Sequence, residues 1–345
     1  MTSNRAAIDA QADLHHQYFL GLQLMVAVEE SKQAVYDWMF RLFRRQHEEK
    51  FISSFEKLDL GQLPHAIACA KYHVLSNNIG GVGVEYMEET TQKAWVRFRY
   101  PRWMYAGPAI CGIPSEAGRG FLYGWYAQNG VSLGNPRLGF VCVSEDVTGQ
   151  YGLCGYFKEY DRDLSDKERL VFAPDERPPA FDSSVQPQPP AGNWNEERLA
   201  KANRNYAMEY VRNGMSALSD TLGRERALAH GIKAARLTGL QTYAAMAKRL
   251  GAVDGTAEDA ANFLQQVFLG MGDECERAAR ADGAITLKQT GLRIVRGIHK
   301  DARADLLACW IELFKGAVSA HRAFIDVRTH VAADHVTWTL SDRFT

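Results

Sequence analysis

No proline follows Pro190 in this chain of 345 residues, and six of its eleven prolines crowd into "APDERPPAFDSSVQPQPPAGNW". A stretch that gives up backbone donors and favours extended conformations reads as a linker or surface strap, placed at 168–197. An excess of charge is missing too: 40 basic residues face 41 acidic ones, for a net charge of -1. Nucleic-acid binding calls for a basic surplus, so no nucleic-acid partner is expected. The run Arg41, Arg44, Arg45, Lys50 is interrupted by Glu48 and Glu49 and reads as a solvated helix face.

No stretch reaches the roughly 18 to 20 apolar residues of a membrane span. The opening "MTSNRAAIDAQADLHH" lacks the apolar core of a signal peptide. The six cysteines form no CxxC pair, and thiols in a reducing cytoplasm are the expectation. HExxH, an EF-hand loop, GxGxxG, GxxxxGK[ST] and GxSxG are all absent, so zinc-protease, nucleotide-binding and serine-elbow readings lack their signatures. The expectation is a cytoplasmic protein with no metal, no cofactor and no membrane partner.

What is present is a rhythm. Apolar residues at three- and four-residue spacings over 18–50, including Phe19, Leu22, Val26, Trp38, Leu42 and Phe43, predict amphipathic helix. "PHAIACAKYHVLSNNIGG" predicts a helix that starts near Pro64 and stops at Gly80-Gly81. Alternation in 82–100 and again in 138–157 predicts two hairpins. Beyond the proline-rich stretch the order recurs: helix from Asn195 to about Leu250, helix 257–271, hairpin at 273–291, helix 302–319, hairpin 323–340. Laid over each other, the halves match Glu85 with Glu274, Trp125 with Trp310, Tyr126 with Ile311 and Asn129 with Phe314. The reading is an α+β chain of two tandem modules, each a small antiparallel sheet of about four strands packed on helices, related by internal duplication. The modules are placed at 1–167 and 198–345, with the second degenerate. A pseudo-two-fold pairing within the chain and a homodimer are both open.

The order "HVLSNNIGG", "VEYMEETTQKAWVRFRYPRW", "GWYAQNGVSLGNPRLGF" resembles the L-2-amino-thiazoline-4-carboxylic acid hydrolase family. The segment from "LGRERALAHGIKAARLTGL" to "HVTWTL" looks like a degenerate copy of the same module. The resemblance implies hydrolytic opening of a small sulfur–nitrogen ring.

Chemistry-bearing residues concentrate in the first half. His73 shares a helix face with Cys69 and Asn77, and an imidazole suits proton transfer near neutral pH. Arg97 and Arg99 share one strand face and could clamp a carboxylate, with Glu85 nearby as an acid or base. Cys142 reads as a buried thiol, and Cys111, in a glycine-containing loop, is the better thiol candidate. Tyr105, Trp103, Tyr123, Trp125, Tyr126 and Asn129 supply an aromatic-polar pocket. On a continuous helix Trp125 and Asn129 share a face; Trp125 reads as scaffold, and Tyr126 and Asn129 as peculiar to this half. Together these predict a cofactor-independent hydrolase of a small cyclic or aromatic organic substrate. His73, Glu85, Tyr105 and Tyr126 are its acid-base groups, and Asn77, Arg97, Arg99, Trp103, Cys111, Tyr123, Trp125 and Asn129 its binding groups. A lyase of the same fold and a non-catalytic small-molecule sensor stay open.

Overall fold

The computed structural model describes residues 2–99, 113–146, 151–190, 194–252 and 255–342. Its contacts divide the chain into two compact units: Val26–Leu199, called unit I, and Met1–Met25 with Ala200–Thr345, called unit II. The chain opens with α1 (Thr2–Glu29), followed by α2 (Lys32–Lys57). The predicted helix over 18–50 therefore breaks at Ser31, whose hydroxyl accepts from the Ala34 amide and caps the second helix.

In unit I, α2 buries Val35, Trp38, Leu42, Phe43 and Phe51, a stripe at three- and four-residue spacing. There follow α3 (His65–Ile79), β1 (Val84–Thr90), β2 (Lys93–Phe98), α4 (Ser115–Gly124), a 3-10 turn over Tyr126–Gln128, α5 (Asn129–Ser132), β3 (Leu138–Ser144), β4 (Cys154–Glu159) and β5 (Leu170–Phe172). The sheet order is β1-β2-β4-β3-β5, antiparallel except for the β3–β5 pair. All seven residues of β3 are buried, as in a strand covered on both faces. One face carries Met87, Trp95, Val141, Val143 and Tyr156, and Phe157 on the other face stacks on His73 of α3.

The stretch 168–197 is not a free linker. It supplies β5, and the Tyr156 hydroxyl donates to Glu176 at 2.9 Å. Gln186 receives the Tyr86 amide at 2.9 Å and donates to the Tyr86 carbonyl at 2.8 Å. One amide side chain thus answers two backbone groups on the outer edge of β1, a position where open strands invite aggregation.

In unit II the elements are α6 (Glu196–Leu222), α7 (Arg224–Leu250), α8 (Ala257–Met271), β6 (Glu274–Ala279), β7 (Ile285–Thr290), α9 (Lys300–Ser319), β8 (Ile325–Val331) and β9 (His335–Asp342). The single helix predicted from Asn195 to about Leu250 breaks at Gly223, whose φ of 85° is costly for a side chain with a Cβ. The sheet order β6-β7-β9-β8 repeats β1-β2-β4-β3, with the same alternation of helix and hairpin. In β9, Val336, Trp338 and Leu340 form the buried face, and Trp338 lies 5.2 Å from Phe268 of α8. The predicted α+β architecture of two sheet-and-helix modules is present. Its partition departs from chain order: residues 1–25, expected to open the first module, belong with the second sheet. Among the described residues no helix is long and apolar enough to cross a membrane.

Candidate functional site

His73 lies on the buried face of α3, 2% exposed. Its Nε2 accepts from the Asn129 amide nitrogen at 2.9 Å. An amide nitrogen can only donate, so this geometry holds a neutral ring with its proton on Nδ1. Burial pushes the Cys69 thiol beside it well above the ordinary range, and the Asn129 amide works in the opposite direction. Tyr126 stacks on the imidazole with centroids 3.8 Å apart and is itself packed among Phe121, Phe140 and Phe157. Asn77, expected on the same face as His73, turns its amide to the His73 backbone carbonyl at 2.7 Å. The structure thus assembles His73, Asn129 and Tyr126 with Cys69, and it assembles them inside the core.

The expected helical pairing of Trp125 with Asn129 is replaced by another geometry. Helix α4 ends at Gly124, Trp125 is its cap, and the 3-10 turn intervenes. Trp125 therefore faces the helices, edge to Phe43 and His47, and Tyr126 faces the sheet. Tyr123 projects elsewhere, edge-on to Tyr36 at 6.2 Å. Glu85, Arg97 and Arg99 form their own group on the first hairpin. Arg97 Nε donates to Glu85 at 2.7 Å, and Arg99 lies 3.3 Å from the same carboxylate. The two arginines expected to clamp a ligand carboxylate hold a protein carboxylate instead. Cys142 is buried as expected, with its thiol pushed up by burial. Trp103, Tyr105 and Cys111 lie outside the described residues.

A pair that the sequence reading passed over meets the geometric requirement for nucleophilic catalysis. His47 Nε2 lies 2.8 Å from the Ser132 hydroxyl. His47 is 1% exposed on α2, stacked on Phe51 with centroids 4.5 Å apart, and edge-on to Trp125 at 5.5 Å. Burial first, and then the Arg44 charge, lower its pKa to about 3, so the ring is neutral at physiological pH. Its Nδ1 is buried without a hydrogen-bond partner among the described residues. Ser132, the last residue of α5, is half-buried. Two residues on begins the lining of an open groove of about 560 Å³, whose walls include Pro64, His65, Gly134, Asn135, Arg137 and Glu159. Asn135 donates its amide to His65 Nδ1 at 3.0 Å, and Arg137 is paired with Glu159 at 2.7 Å.

The run Arg41, Arg44, Arg45, Lys50 is a solvated face only in part: Arg41, Glu48 and Glu49 are exposed, whereas Arg44 donates to the carbonyls of Tyr123 and Gly124 at 3.2 and 3.1 Å, and Gln46 and His47 beside them are buried. Among the described residues no three His, Cys, Asp or Glu side chains converge as a metal site. Two further cavities, of about 230 and 260 Å³, lie in unit II between residues 205 and 306, where the sequence reading placed no candidate. No family model matches the chain, and no curated protein matches it.

Proposed function

We propose that unit I is a hydrolase of small organic acyl compounds in which Ser132 is the nucleophile and His47 its base. The observation that carries this reading is the 2.8 Å contact between the Ser132 hydroxyl and an imidazole that is neutral at physiological pH, two residues along the chain from the lining of an open groove. A serine hydroxyl is a poor nucleophile until a neighbouring base takes its proton. As Ser132 Oγ bonds to the substrate's acyl carbon, its proton passes to His47 Nε2, and the imidazolium then returns that proton to the leaving alcohol or amine. Water repeats the sequence on the acyl-serine, releasing the acid and restoring both residues. The net change is one water added across one bond. A cyclic substrate would be opened by the same steps, which agrees with the ring-opening expectation raised by the segment resemblance.

The test is labelling with a fluorophosphonate probe, together with turnover of a panel of small cyclic and aromatic esters and lactams. Expected are a single adduct on Ser132 and a loss of about a thousandfold in kcat/KM for Ser132→Ala, with His47→Gln similarly impaired. An unlabelled Ser132, or a Ser132→Ala variant with unchanged turnover, would sink the assignment.

A further inference from the structure

The cavity of about 260 Å³ in unit II is walled by Arg212, Arg293 and Arg296, with Glu209 its one acidic wall residue. A fourth guanidinium, Arg204, is close enough to Arg293 for the two like charges to oppose each other. The local counter-charges do not balance these four. Glu209 lies 3.5 Å from Arg212, and Asp273 sits behind Arg293, receiving its backbone amide at 3.0 Å. Arg212 and Arg293 are held in place by backbone carbonyls: Arg212 donates to the Arg293 carbonyl at 3.3 Å, and Arg293 Nε to the Gly272 carbonyl at 2.9 Å. Arg296 is exposed, and no hydrogen bond or ion pair is found for its side chain among the described residues. Gathering like charges around a concavity is unfavourable unless something anionic enters it.

Arg212 also lines the second cavity, of about 230 Å³, so its side chain borders both spaces. There the walls include Met215, Leu228, Ile298 and Leu306. Its other polar rim carries Asp220, Asp301 and Asp305, the last held by Arg224 through bonds of 2.6 and 2.9 Å. The paired cavities are therefore polarised: arginines at one end, apolar side chains between, carboxylates at the other.

From this arrangement we infer that unit II binds a small amphipathic anion, with an oxyanion head (carboxylate or phosphate) against Arg212, Arg293 and Arg296 and a short apolar body along Met215, Leu228 and Leu306. The acidic rim favours this orientation, because Asp220 and Asp301 repel the head there and the one arginine of that rim, Arg224, is already paired with Asp305. Planar guanidinium forks suit either oxyanion, and the volume suits a body of several carbons. The site is independent of Ser132 and His47, so either assignment can fail without the other.

The experiment is calorimetric titration of the full chain with hexanoate, hexyl phosphate, hexanol and inorganic phosphate. Saturable one-site binding is expected for hexanoate or hexyl phosphate, and the better of the two names the head group. Hexanol, which lacks the head, and inorganic phosphate, which lacks the body, should each bind at least about tenfold more weakly. Arg296→Glu should weaken the preferred anion by about tenfold or more, with Arg296→Lys intermediate. Because Arg296 is exposed, these variants should keep the parent's circular dichroism and Tm. Leu228→Ala should narrow the preference for hexanoate over acetate. No saturable binding of either amphiphile up to about 10 mM would overturn the inference. So would hexanol binding as tightly as hexanoate, or an Arg296→Glu variant that binds as the parent does.

Discussion

His47 and His73 are both buried imidazoles of unit I, and their partners give them different chemistry. Asn129 offers His73 an amide N–H that it cannot release. Ser132 offers His47 a hydroxyl whose proton can move. Hence His73 reads as a core residue whose replacement is a stability event, and His47 as a base. With the His47 pKa near 3, the base is already deprotonated across ordinary conditions. For the proposed hydrolase this makes kcat/KM level from about pH 5 to 8, with no acid limb near the usual histidine value. A pH–rate profile falling below pH 6.5 would remove His47 from the role. In unit II, His15 accepts from the Trp310 indole at 3.1 Å and lies 2.7 Å from the Gln11 carbonyl, and burial lowers its pKa to about 4. The unfolded chain therefore takes up this proton first as pH falls. The His15 contribution is whole above its unfolded pKa and is lost between about 6.5 and 4. From pH 7 to 5 the loss should be about 2 kcal/mol, and His15→Gln should flatten that slope in urea unfolding at the two pH values. Some of this could be read from the chain. The spacing of Cys69, His73 and Asn77 placed an imidazole on a shared α3 face. That Asn129, 56 residues away, supplies its partner is tertiary information. His47 was hidden within a charged run, where composition alone suggests solvent.

At the scale of elements, both units fasten a helix pair by glycine. In unit II a Cβ on Gly239 of α7 would fall 2.0 Å from the Leu313 carbonyl of α9, and one on Gly316 would fall 2.2 Å from the Arg236 carbonyl. In unit I, Gly120 and Gly124 of α4 stand in the same way against Tyr36 and Phe40 of α2, at 2.6 and 2.7 Å. The opposing atoms are backbone, so a methyl group there must push two helices apart. Gly239→Ala should cost about 2–3 kcal/mol in chemical denaturation despite its better helix propensity. Gly283, in an open turn with φ of 80° and nothing within 4 Å of its would-be Cβ, should accept asparagine with a small loss. Equal stability of both variants would show that the pairs do not depend on close approach. Helices and hairpins were legible because their apolar periods, 3.6 and 2, are local properties of the chain. The stop at Gly223 was not, since a glycine inside a helical pattern is often tolerated. The end of α4 at Gly124 was also hidden, because it depends on Arg44 reaching back from another helix.

Over the whole molecule, the repeated strand order accounts for the rhythm visible in the sequence, and the strap over 168–190 accounts for the proline-rich stretch. Prolines marked extended chain there, but which backbone it would cover depends on Glu176 and Gln186 finding Tyr156 and Tyr86. The membership of residues 1–25 was invisible, because an amphipathic helix does not state which core it joins. Leu14 and Tyr18 are fully buried, and the Tyr18 hydroxyl donates to the Gly231 carbonyl at 2.9 Å. Leu14→Ala should cost about 2–5 kcal/mol. In hydrogen exchange, the resulting loss of protection should fall on α8, α9 and β6–β9 and leave β1–β4 little changed. Loss confined to β1–β4 would contradict the assignment of this segment.

That assignment has a consequence for synthesis. Residues 1–25 leave the ribosome before residues 26–199, and residues 200–345, the rest of unit II, only after them. At about 5–20 residues per second, a chain of this length takes on the order of tens of seconds to emerge. Throughout that interval the leading helix carries its apolar stripe with no core to enter, while Val26–Leu199 is already complete and can fold. Newborn chains therefore pass through a stage with one finished unit and one waiting segment, the stage at which a chaperone would find something to hold.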